Sequence, residues 1–155
     1  MQLGLHIFIR YLSVFLLSFQ GNVFAQKANP VKWNYSVRKI NSDTVEMQIT
    51  ARIDKGWHIY SLYNEGGPGP TTFKFEKNPN LHFFENLKET TEPKKVLEPI
   101  FDAYVTEFTT LAHFIMRIER KNPSPTQIEG MVKFFASDGK TCLPPKEEKF
   151  SVALH

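Results

Sequence analysis

Residues 31–53 open with Val31-Lys32-Trp33-Asn34-Tyr35-Ser36-Val37 and close with Val45-Glu46-Met47-Gln48-Ile49-Thr50-Ala51-Arg52-Ile53. Apolar side chains recur at every second residue in both halves, the period that sends successive side chains to opposite faces of a pleated strand. Each half therefore predicts a half-buried strand. Between them, Asn41-Ser42-Asp43 supplies side chains that hydrogen-bond their own backbone and accept left-handed conformations, as a tight hairpin connection requires.

Outward from this pair the pattern continues. Further strands are predicted at Trp57–Ser61, Thr71–Phe75, Leu81–Glu85, Tyr104–Thr109, Leu111–Ile118, Ile128–Phe135 and Phe150–Leu154, and no segment carries a convincing helical period. Many short strands with Pro and Gly punctuation predict an all-β fold, an immunoglobulin-like antiparallel β-sandwich of two packed sheets. Its core is expected to include Trp33, Val45, Met47, Ile49, Phe114, Met116, Val132, Phe134 and Val152. Gly66-Gly67-Pro68-Gly69-Pro70 reads as a loop, since two prolines lack the N–H an anion would need and no helix follows. Pro93 to Pro99 reads as an extended polar crossing between the sheets.

The ends set the compartment. Arg10 is followed by the apolar run Tyr11–Phe19 and then by Val23-Phe24-Ala25, the layout of a signal peptide cleaved after Ala25. The run is shorter than the roughly 20 apolar residues that cross a bilayer. Residues 1–25 are thus expected to be a leader and 26–155 one exported domain with no membrane span. The formal charge of +3 falls to about +2 without Arg10. Lys and Arg are scattered among acidic residues rather than gathered in a stripe, so no nucleic-acid footprint is expected.

The residues with chemical potential are few. His58, His82, His113 and His155 lie at no spacing that converges on a metal, and neither a metal nor another cofactor is expected. Asp102 and Glu107 read as surface charges. The informative stretch is Phe134-Phe135-Ala136-Ser137-Asp138-Gly139-Lys140-Thr141-Cys142-Leu143-Pro144-Pro145, where Asp-Gly marks a hairpin turn and the two prolines end the ladder behind the thiol. Cys142 is the chain's one cysteine. Lys140 favours its thiolate and Asp138 disfavours it, which leaves the direction of any shift open.

On these residues the chain resembles the N-terminal domain of the thiol:disulfide interchange protein DsbD, also called the disulfide-bond corrector domain. Gly56-Trp57-His58-Ile59-Tyr60-Ser61 resembles the family's glycine-aromatic strand, Phe101-Asp102-Ala103-Tyr104 its cap loop, and Ala136 to Pro145 its active-site hairpin. The resemblance implies a periplasmic domain passing reducing equivalents from a thioredoxin-like donor to oxidised periplasmic proteins, in processes such as cytochrome c biogenesis. It implies Cys142 as the cysteine that forms mixed disulfides, Phe101 as the cap, and His58, Tyr60 and Asp138 as the lining. It puts Ala136 where the family has its other cysteine, and the two positions are expected to face each other across the hairpin.

An alanine cannot form a disulfide, so a complete dithiol cycle within this chain is excluded. Two functions of different class follow. One is single-thiol exchange at Cys142 with an external thiol resolving the intermediate. The other is a redox-inactive binding module on the same sandwich.

Overall fold

The computed structural model describes residues 29–154 apart from Glu85, Pro123 and Pro125. The expected leader and His155 lie outside the described residues. The elements are β1 Val31–Lys39, β2 Thr44–Ile53, β3 His58–Tyr60, β4 Thr72–Phe75, β5 Leu81–Phe83, β6 Lys88–Glu89, β7 Lys94–Glu98, β8 Ala103–Phe108, β9 Leu111–Arg120, β10 Thr126–Phe134, β11 Ala136–Ser137 and β12 Lys146–Leu154. The fold is all-β and every pairing is antiparallel.

The first hairpin forms as its sequence directs. β1 and β2 pair from Val31↔Ile53 to Lys39↔Val45, and Asn41 Oδ1 accepts the N–H groups of Asp43 and Thr44 at 3.0 and 2.7 Å. That side-chain acceptor stands in for a backbone one and fixes the turn. β2 then pairs with β9, which also carries β5 and the two-residue β6.

The expectation of two sheets is refined to three hydrogen-bonded sheets: β1-β2-β9-β5 with β6 on β9, β12-β10-β4, and β11-β3-β8-β7. The last two are linked through one run of chain, because β10 breaks its ladder at Phe135 and resumes as β11 beside β3. A strand that changes sheets in this way makes a corner of the sandwich. The core lies between the β1–β2–β9 sheet and the other two. Trp33 packs edge-on to Phe73 and Phe134, and Tyr35 stacks on Phe150 at 4.6 Å.

Val45, Met47, Ile49, Phe114, Met116, Val132 and Phe134 are buried, and Trp33 and Val152 pack half-buried against them. Period-2 alternation therefore located the core face correctly on both sides. One segment is corrected: Pro93 to Pro99 is no crossing, since Lys94–Glu98 forms the edge strand β7 along β8. Its lysines and the exposed Leu97 hide the alternation, as is usual of edges, which carry charge to block pairing with other chains.

Candidate functional site

The site is built at the corner where β11, β3, β8 and β7 lie side by side. β3 is too short to hold itself, and its end is fixed by Thr71, whose hydroxyl donates to the Tyr60 carbonyl at 2.6 Å. In a strand, residues two apart share a face. Ile59 accordingly enters the core, whereas His58 and Tyr60 point to the opposite side and are also buried. That side is occupied by polar groups from the neighbouring strands.

Glu98, the last residue of β7, is their hub. It is 2% exposed, and a carboxylate taken out of water at that depth needs donors. It has three. Tyr60 donates its hydroxyl to Oε2 at 2.7 Å, Ser137 donates its hydroxyl to Oε1 at 2.7 Å, and His58 Nε2 lies 3.1 Å from the same oxygen. Glu107 of β8 reaches His58 Nε2 from the other side at 3.4 Å. Burial, then repulsion from Glu98, raise the Glu107 carboxyl above the usual carboxylate range, against the pull of His58 and Lys94.

Cys142 joins this group through the hairpin. Its N-terminal arm ends in Ser137, the turn runs through Asp138 and Gly139, and Asp138 Oδ1 accepts the N–H groups of Lys140 and Thr141 at 2.9 and 2.7 Å. Gly139 takes a positive φ of 80°, where a residue without Cβ pays no steric penalty. The return arm bridges at Ser137↔Cys142, bracketed by Asp138 N–H to Thr141 C=O and Leu143 N–H to Ala136 C=O. That pattern defines a non-hydrogen-bonded pair, the closer of the two antiparallel arrangements.

The register corrects the expectation that Ala136 and Cys142 oppose one another. Ser137 opposes Cys142, and Ala136 lies beside Leu143. An offset of one residue turns side chains to opposite faces. Ala136 faces the core side, next to Ile59 and on a small apolar cavity of about 70 Å³ shared with Leu143 and Phe134. Cys142, half-buried, faces Tyr60 and Glu98. Burial pushes its thiol above the ordinary range, the Glu98 charge adds to this, and the Tyr60 hydroxyl opposes it.

Of the residues expected at the site, His58 and Tyr60 are brought to it with Cys142. Asp138 is exposed, and its carboxylate serves the turn, whose N–H groups hold it below the usual carboxylate range. Phe101 sits in the β7–β8 turn, its N–H bonded to the Glu98 carbonyl at 3.2 Å. The loop after β3 crosses this hairpin closely. A Cβ on Gly67 would lie 3.1 Å from the Phe101 ring and 3.2 Å from Val105. Asn64 secures the crossing, accepting the Thr106 N–H at 2.8 Å and donating to the Gly66 carbonyl at 2.6 Å.

Glu107 is corrected from a surface charge to a buried one. Glu98 and Ser137 were not anticipated at all. Val105 and Glu107 occupy the same face of β8, and an acid in register with a buried valine was the available signal. Among the described residues, no group of three or more His, Cys, Asp or Glu side chains is arranged to hold a metal.

The fold has known counterparts. The N-terminal periplasmic domain of ScsB from Proteus mirabilis superposes with a TM-score of 0.57 at 12% identity, covering 82% of this chain and 47% of that one. The yeast GGA1 GAE domain gives 0.50 at 8% identity over 84% of this chain and 96% of the other. The Neisseria meningitidis DsbD N-terminal domain in its reduced form gives 0.49 at 12% identity over 77% and 83%. The chain thus spans about half the length of the ScsB domain it matches. No family model and no curated protein matches the sequence. At these identities the likeness is one of fold, the immunoglobulin-like sandwich. Among the described residues, no helix is long and apolar enough to cross a membrane.

Proposed function

We propose that this chain is an exported, periplasmic thiol:disulfide interchange domain that works through Cys142, with residues 1–25 serving as the signal peptide. The observation that carries the reading is the placement of the chain's one thiol. It stands half-buried in a turn-closed hairpin against the buried Tyr60, Ser137 and Glu98 cluster, on a sandwich shared with the ScsB periplasmic domain. Phe101 is proposed as the cap; Ala136 is the position to which the resemblance assigns the family's other cysteine, although its side chain here faces the core and Ser137 is the residue opposite Cys142.

The reaction balances with an external dithiol. The Cys142 thiolate attacks one sulfur of an oxidised partner, a bond forms between them, and the partner's other sulfur leaves as a thiolate that takes up a proton. A thioredoxin-like donor then attacks the mixed disulfide at Cys142 and releases the partner as a dithiol. The donor's second thiol displaces Cys142 and closes the donor's own disulfide. Two electrons and two protons pass from donor to partner.

A second reading, a docking module without turnover, draws on a different observation. Leu97 and Tyr104 are directly opposed on the outer face of the β7–β8 hairpin and are 53% and 64% exposed, an apolar pair beside the proposed cap. The raised thiol favours that reading too. Incubation with an oxidised model disulfide protein and a reduced thioredoxin separates the two. Exchange predicts a trapped mixed disulfide at Cys142 and catalysed reduction that is lost in Cys142→Ser. Binding without either product supports the docking module and ends the exchange reading.

A further inference from the structure

The two hydroxyl groups that flank the sulfur are both committed elsewhere. A hydroxyl carries one proton to donate. Ser137, directly opposite Cys142, gives its proton to Glu98 Oε1, and Tyr60 gives its proton to Oε2, each at 2.7 Å. Glu98 draws on a third donor in His58, behind which stand Glu107 and Lys94. The hairpin's own charges, Asp138 and Lys140, lie on the exposed turn. The sulfur therefore lies beside an anion that engages both hydroxyls, of which Tyr60 also reaches it, and its own S–H donates to the Leu143 carbonyl at 3.6 Å.

We propose that Glu98 is a positioning residue that holds Cys142 in its unreactive thiol form by claiming the hydroxyl protons of Tyr60 and Ser137, and that neutralising Glu98 frees those protons to stabilise the thiolate. The inference rests on the reading that Cys142 is the reactive group. A charge-assisted bond to a carboxylate is about twice as strong as a neutral one, so a hydroxyl within reach of both Glu98 and the sulfur turns to Glu98. The gate has two consequences of the same sign. With Glu98 ionised, a thiolate would be a second anion in a poorly solvated corner and would share the Tyr60 hydroxyl with that carboxylate; with Glu98 neutral, both penalties fall away.

The test is alkylation of Cys142 by iodoacetamide from about pH 6 to about pH 11, a range spanning the usual thiol titration. In this reaction sulfur bonds to the acetamide carbon, iodide leaves and the thiol proton goes to solvent. Each tenfold gain in thiolate is trimmed to about three- to fourfold in rate, because nucleophilicity falls with basicity with a slope of about 0.4–0.5. Glu98→Gln is expected to react at least about threefold faster than wild type at neutral pH. It becomes slower once both proteins are fully ionised, so the two profiles cross. Tyr60→Phe should slow the wild type slightly, since that hydroxyl already opposes the raised thiol, and should remove a larger part of the gain in the Glu98→Gln background. Glu98→Asp, which draws the carboxylate back from the Tyr60 and Ser137 hydroxyls, should shift the profile the same way by less and serves where Glu98→Gln does not fold. A Glu98→Gln profile that coincides with wild type, or lies above it by one factor at every pH, overturns the proposal, since mere loosening speeds alkylation without a crossing. Failure of the exchange reading looks different: the profiles cross as expected, yet no disulfide partner is reduced.

Discussion

Replacing Ser137 by cysteine places a second sulfur directly across the hairpin from Cys142. A non-hydrogen-bonded antiparallel pair has its Cα atoms about 4.5 Å apart, inside the roughly 4.4–6.8 Å window of a disulfide. The closed loop from 137 to 142 is short, and the loop-entropy relation gives it about 2 kcal/mol of stabilisation. Against this stands the loss of the Ser137 hydroxyl, which donates to Glu98 and accepts the Gly139 N–H at 3.1 Å. A hydrogen bond to a charged group contributes about 1.5–3 kcal/mol and a neutral one about 1 kcal/mol. The oxidised variant is therefore expected to be no more stable than wild type, while exceeding its own reduced form by about 2 kcal/mol. Urea denaturation of the variant with and without reductant measures that difference, and intact mass reports the bridge. Ala136→Cys is the control. Its sulfur would point toward Ile59 and the small cavity, so both thiols should stay free in the folded protein. A bridge in Ala136→Cys with none in Ser137→Cys would show the hairpin register to be wrong by one residue.

Other perturbations probe the scaffold. Ile49 is fully buried in the centre of β2, and Ile49→Ala should cost about 2–5 kcal/mol in chemical denaturation; a loss below about 1 kcal/mol would mean that the core does not close around it. Gly67 has a φ of 59°, and a Cβ there would press on the Phe101 and Val105 side chains at 3.1 and 3.2 Å, so Gly67→Ala should destabilise the protein by about 1–2 kcal/mol and raise amide exchange in the loop over β8; unchanged exchange would detach that loop from Phe101. The Glu46 carboxyl is held below its usual range, first by its hydrogen bonds to Arg38 and Gln48. A lowered folded-state value means stability present above the unfolded carboxylate range and lost as pH falls through the folded value. With Arg38 largely exposed, the contribution is about 0.2–1 kcal/mol. Glu46→Gln should remove that much at neutral pH and leave the difference from wild type near zero in acid; a constant difference across pH would rule out ionisation as its source.

The sandwich was legible in the chain because its evidence is local. Each alternation, as in Val45-Glu46-Met47-Gln48-Ile49, declares a buried face without reference to any other strand, and Asn41 and Asp138 declare their turns through bonds that close within three residues. The candidate site is the opposite case. Glu98 meets Tyr60 and Ser137 from 38 and 39 residues away, and no spacing rule connects a residue ending an edge strand to a hairpin so distant in the chain. Resemblance supplied His58, Tyr60 and Cys142 but could not supply their hub, because Glu98 lies just before the cap segment rather than within any of the quoted blocks. The register error has the same origin. An Asp-Gly turn signals that a hairpin closes, yet whether Cys142 opposes residue 136 or 137 depends on which N–H groups Asp138 captures. Its carboxylate takes those of Lys140 and Thr141, the Asp138 N–H bonds the Thr141 carbonyl, and the pairing is then set at Ser137. The identity of the residue facing the thiol is thus decided by three hydrogen bonds in a six-residue turn. Burial first, and then the Glu98 charge, make the corner resist thiolate formation, and this facing serine is one of the two hydroxyls bound to that carboxylate.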